Sequence, residues 1–74
     1  MREPLCVIPH VIYRLEKGTR IFFMGGFEHD SMTKKVYPRE TRNIDRAKHF
    51  QSAAHGYKFG DDHRVLSTWR VGRV

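Results

Sequence analysis

Leu5-Cys6-Val7-Ile8-Pro9-His10-Val11-Ile12-Tyr13-Arg14-Leu15, followed by Glu16-Lys17-Gly18-Thr19 and Arg20-Ile21-Phe22-Phe23-Met24, is the stretch that decides the fold. Its first part is dense in β-branched and aromatic residues, the composition of a strand. Glu16-Lys17-Gly18-Thr19 is a turn, in which Gly18 can take a positive φ at no steric cost. Residues 20–24 are the return strand, so the whole reads as a β-hairpin. Pro9 has no N–H to give to a ladder. The first strand is therefore expected at a sheet edge, or bulged or broken at Pro9.

Outward from the hairpin, Gly25-Gly26 is expected to end the second strand, and residues 27–33 read as a polar loop. Residues 34–37 suggest a short third strand, stopped by Pro38. Thr41, Asn43 and Asp45 are cap and turn formers around Ile44, and residues 45–50 make one helical turn or an irregular lead-in. Ser52 has the chemistry of an N-cap. Ala53, Ala54 and Tyr57, with Phe50, give a helix over 53–59 an apolar side at three-to-four spacing. Gly56 weakens that helix by up to about 1 kcal/mol relative to Ala. Gly60 is a natural stop and leaves Asp61-Asp62-His63 as a loop. Residues 64–74 alternate, with Val65, Ser67, Trp69 and Val71 on one side, a half-buried strand that turns Trp69 and Val71 to the core. The order β-β-(β)-α-β predicts an α+β fold: a small antiparallel sheet, hairpin plus C-terminal strand, with one short helix on a face. Phe22, Phe23, Phe27, Phe50, Tyr57, Phe59 and Trp69 are expected to supply the core.

Residues 1–74 are read as a single domain,. A chain this short buries only about 60% of its unfolded surface and is marginally stable. Cys6 is the single cysteine, so no internal disulfide forms and a thiolate zinc site is not expected. A bridge between two copies stays open, and a reducing, cytoplasmic setting is the simpler reading. Cys6 lies in an apolar run and is expected to be a packed thiol. No apolar run approaches the ~20 residues of a membrane helix, and residues 1–6 do not have the pattern of a signal peptide.

Fourteen basic residues face eight acidic ones, a net charge of +6. That favours anionic partners, nucleic acid or an acidic protein surface. The charge is concentrated. Residues 34–48 hold six cations, Lys34, Lys35, Arg39, Arg42, Arg46 and Lys48, against Glu40 and Asp45 alone. Tyr37 lies among them, an aromatic ring on which a base can stack while cations hold phosphates. The bland alternative is a solvated charged loop. Lys34, Lys35, Tyr37, Arg39, Arg42 and Arg46 are the candidate partner-binding residues.

No catalytic set assembles from the sequence, and no enzymatic activity is expected. His10, His29, His49, His55 and His63 form no HxH or HxxxH pair, so no metal or other cofactor is expected. His55-Gly56-Tyr57-Lys58-Phe59 resembles an RNA-recognition strand signature, but that fold needs two helices and a second aromatic strand.

Residues 41–54, with Ala47, Phe50 and Ser52 in an Ala-x-x-Phe-x-Ser step before a short helix, resemble small proteins encoded by tailed bacteriophages. Those chains begin with a hairpin and end on a strand, here 69–74. Gly56 and the shortness of the helix depart from the pattern. The resemblance implies an accessory protein in bacterial cytoplasm. It implies a regulator that docks on a host complex such as RNA polymerase, a nuclease or a CRISPR effector. Direct DNA or RNA binding is the alternative.

Overall fold

The turn at Lys17-Gly18 organises the sheet. Both residues have positive φ, 50° and 82°, the backbone of the two-residue hairpin turn whose twist matches its strands. It joins β1 (His10–Glu16) to β2 (Thr19–Asp30), with Glu16 opposite Thr19 and Tyr13 opposite Phe22. The computed structural model describes residues 9–74, so the part of the first strand at Leu5–Ile8, and Cys6 with it, lies outside the described residues. β3 (Lys35–Thr41) and β4 (Arg70–Arg73) complete one antiparallel sheet in the order β3-β2-β1-β4.

The α+β class and the single helix are as the sequence indicates, but four local expectations change. β1 is central, between β2 and β4. Pro9 sits just before it, and its carbonyl accepts from Val74 N–H at 3.0 Å. A residue without an N–H is harmless where its C=O alone is used. Next, β2 does not end at Gly25-Gly26 but continues to Asp30, with a register shift between Phe23 and Phe27. Gly25, at φ 101°, turns the strand there, as a β-bulge does. The expected loop 27–33 is thus mostly strand. β3 likewise runs through Pro38 to Thr41. It is an edge strand, with a neighbour on one side, so Pro38 need not donate to a ladder.

The fourth change concerns the C-terminal third. The helix α1 (Ala53–Asp62) passes Gly60 and takes up Asp61-Asp62, with His63 as its C-cap. Residues 64–74 do not form one strand: Arg64–Leu66 is a 3₁₀ turn, and β4 starts only at Arg70. Val65 and Ser67 therefore do not alternate with Trp69 along a sheet face. Ser52 does cap the helix, accepting from His55 N–H at 3.2 Å.

Both sides of the sheet carry a buried cluster. On one, α1 and the Arg64–Leu66 turn enclose Ile12, Phe23, Phe50 and Leu66, with Phe27, Phe59, Val65, Trp69 and Val71 packed around them. Phe23 is fully buried and touches three rings, Phe27, Phe59 and Trp69, at 5.3, 5.5 and 6.5 Å. On the other side Val11, Phe22 and Ala47 cluster, with Tyr13 and Ile44 against them. A 3₁₀ turn at Ile44–Arg46, capped by the Asn43 side chain, carries the chain there. The chain then passes between the diverging ends of β1 and β2. Lys48 N–H bonds Phe23 O, and Phe50 exchanges backbone bonds with His10. Tyr57, expected in the core, is 57% exposed, because α1 turns Gly56 to the sheet instead. Trp69 is only partly buried, its ring beneath the Arg14 guanidinium at 5.7 Å.

Candidate functional site

Strand alternation sorts the candidate residues. In β3, Lys35, Tyr37 and Arg39 point to the side away from α1, whereas Val36, Pro38 and Glu40 point to the α1 side. Past the shift at Phe23/Phe27, β2 pairs among the described residues with β3 alone: Phe27 with Pro38, Glu28 with Tyr37, Asp30 with Lys35. The outer part of the β2–β3 hairpin is thus a two-stranded ribbon, and one of its faces presents Lys35, Tyr37 and Arg39 in a row. All three are exposed, Tyr37 at 47%.

The charge of that row is not what a count along the chain suggests. Its cross-strand neighbours are acidic. Glu28 lies opposite Tyr37 and approaches Arg39 Nε at 3.8 Å. Asp30 lies opposite Lys35. The face therefore mixes both signs around one aromatic ring. An open groove of about 380 Å³ runs beside it, lined by Met24, Glu28, Tyr37, Pro38, Arg39 and Glu40. Gly26 admits Arg39 here: a Cβ on Gly26 would lie 3.0 Å from Arg39 Cδ.

The remaining candidates stand elsewhere. Lys34 is in the tip, at φ 58°; its N–H bonds Asp30 O at 2.7 Å. The Asp30 carboxylate accepts from Met32 and Thr33 N–H at 2.9 and 3.4 Å. These bonds, Met32 first, hold it below its ordinary pKa of 3.8,. Arg42 follows β3 and borders a depression with Arg14 and Glu40. Arg46 is in the 3₁₀ turn. The six residues thus form one row of three and three separate positions. Glu28 and Asp30 were missed because they fall in residues 27–33, read as a loop, and only the strand register brings them across.

Arg14 and Glu40 join β1 to β3 across β2. Arg14 donates to Glu40 Oε2 from Nε at 2.9 Å and from Nη2, and Glu16 approaches at 3.3 Å. The Glu40 hydrogen bond raises the guanidinium above its already high ordinary pKa.

The histidines are placed without a shared centre. His63 is stacked between Phe27 and Phe59, 5.0 and 4.3 Å between centroids. Its Nδ1 lies 2.8 Å from Phe59 O, so that nitrogen carries the proton it donates. His49 Nε2 meets Ile44 O at 3.1 Å. Among the described residues no three His, Cys, Asp or Glu side chains converge as metal ligands, and no helix is long and apolar enough to cross a membrane. Comparison with family models, with curated proteins and with solved structures finds no match to the chain.

Proposed function

We propose that the chain is a non-enzymatic regulator that docks, through the outer β2–β3 ribbon, on a protein complex that handles nucleic acid. The setting, a host complex bound by a phage-type protein, rests on the resemblance of residues 41–54. The observation that carries the docking mode is the row Lys35, Tyr37, Arg39 with Glu28 and Asp30 paired across from it. A polyphosphate chain meets repulsion from the two carboxylates, and each phosphate contact must outweigh it. A folded protein surface can place opposite charges against both signs and seat a side chain in the groove beside Tyr37. Tyr and Arg are also the residues that most often anchor such interfaces.

The test is capture from bacterial lysate, with and without nuclease treatment, by wild type and by a Tyr37→Ala, Arg39→Glu variant. Both positions are exposed, so the variant should keep its melting temperature to within about 0.5 kcal/mol of stability. One host protein retained by wild type at moderate salt, and lost by the variant, supports the proposal. Capture that vanishes with nuclease treatment and falls steeply with salt supports direct nucleic-acid binding instead. An Arg42→Glu variant, altered away from the ribbon, should capture as wild type does.

A further inference from the structure

The side of the sheet away from α1 has a second exposed area, on β4, β1 and the inner part of β2. Tyr13 of β1 lies opposite Phe22 of β2 and Arg70 of β4, and Leu15 lies opposite Arg20. All are on one face. The Tyr13 ring rests on Gly72, where a Cβ would come within 2.9 Å of Cε1. The Arg20 guanidinium lies over the same ring, 4.9 Å from its centroid. Arg20 and Arg70 are exposed, and neither forms an ion pair among the described residues. The register places no Asp or Glu on this side of β1, β4 or the part of β2 paired with β1. Leu15 is 49% exposed beside them.

We propose that Tyr13, Arg20 and Arg70 form a docking surface for an acidic segment of a partner protein. A guanidinium held over a ring is restrained in position, and its N–H groups facing solvent stay free for bonds to a carboxylate. Holding it there in advance lowers the cost of ordering it on binding. Arg20 lies opposite Leu15 and Arg70 opposite Tyr13, so they stand two inter-strand steps apart across the sheet and two residues apart along it, roughly 12 Å between Cα atoms,. Three residues of extended chain span about 10 Å, and the glutamate and arginine side chains cover the rest. Carboxylates at positions i and i+3 can therefore meet Arg20 and Arg70, with an apolar residue between them over Leu15. A nucleic acid fits less well. The aromatic face a base needs for stacking is already covered by Arg20, and stacking supplies much of single-strand affinity. This surface is distinct from the ribbon and does not depend on it.

The probe is a fluorescent peptide, Gly-Ser-Glu-Leu-Leu-Glu-Ser-Gly, with its Glu→Gln counterpart and oligo(dT) as controls, followed by anisotropy at low salt. The Glu peptide should bind and the Gln peptide should not. Arg20→Ala and Arg70→Ala, with unchanged melting temperatures, should each weaken binding about tenfold. Tyr13→Leu keeps both arginines but removes the platform, and should weaken it too. Equal binding of the Glu and Gln peptides overturns the proposal, as does wild-type affinity in both arginine variants. Binding of oligo(dT) in place of the peptide also overturns it. The Tyr37→Ala, Arg39→Glu variant should hold the peptide as wild type does, whether or not the ribbon docks on anything.

Discussion

Gly56 of α1 lies against Val71 of β4 so closely that a Cβ at Gly56 would stand 2.9 Å from Val71 Cγ1 and 3.3 Å from Cγ2. The helix approaches the sheet through that glycine. Gly60, one turn on, has nothing among the described residues within 4 Å of a Cβ position. Two glycines of one helix should therefore respond to alanine with opposite signs. Gly60→Ala gains helix propensity and lowers the entropy of the unfolded chain, and should stabilise by about 0.4–1 kcal/mol. Gly56→Ala gains the same propensity but forces a stiff β-branched neighbour to move, at about 1–3 kcal/mol. It should destabilise on balance. Thermal melts of the two variants, followed by circular dichroism, check both signs.

The central aromatic residue should dominate stability. Phe23 is wholly buried among three rings, so Phe23→Ala should cost about 3–5 kcal/mol. For a domain of this size that is a large share of a total of roughly 5 kcal/mol. The variant should be unfolded or nearly so at 37 °C by circular dichroism. Trp69 packs with one edge on Phe23 and keeps part of its surface in water. Trp69→Phe should cost less than about 1.5 kcal/mol. The indole fluorescence of wild type should remain quenchable by iodide.

Acid should loosen the ribbon tip. The Asp30 carboxylate, as an anion, accepts from Met32 and Thr33 N–H, and its folded pKa lies below 3.8. A depressed carboxyl pKa contributes stability that is fully present above the unfolded value and is lost as pH falls through the folded one. Amide protection at Met32 and Thr33, measured relative to the intrinsic exchange rate, should accordingly be full above the unfolded value and fall as pH drops through the folded one,. In Asp30→Ala the same amides should have low protection at every pH. An unchanged pH profile in that variant would remove Asp30 from the tip's stability.

Arg14 and Glu40 should couple weakly but measurably. Their side chains are about one-third exposed, at 34% and 35%, so water screens the pair. A double-mutant cycle with Arg14→Met and Glu40→Gln should give a coupling of about 0.5–1 kcal/mol. It should shrink in 1 M salt, where screening lengths fall to about 3 Å. A coupling of zero at low salt would mean that the contact does not help tie β3 to β1.

The hairpin was legible because its signals are local. Gly18 between two β-rich runs fixes the turn, and Ser52 before an Ala-rich turn fixes the helix start. Pro38, Gly25-Gly26 and the edge position offered for the strand at Pro9 misled for one reason. Each was read as a property of its own position, whereas its effect depends on which strand lies beside it. Pro38 is tolerated because nothing among the described residues pairs with the outer side of β3. Pro9 is tolerated because the strand begins after it. Gly25-Gly26 marks a bulge in a continuous strand, because Lys48 and Arg39 pack over the space that the two glycines leave.

The sequence by itself determined the class, one sheet and one helix, through periodicity and turn chemistry acting over a few residues. It also named Lys35, Tyr37 and Arg39 among six candidates along residues 34–48, but not the strand through Pro38 that sets these three in one row. Tertiary structure alone decided what stands next to that row. Glu28 and Asp30 arrive by register, Tyr13 meets Arg20 and Arg70 from three different strands, and Tyr57 is turned to water because Gly56 must face Val71. Charge along a chain is additive, but the field at a surface depends on separation in space. Only the pairing of strands converts one into the other.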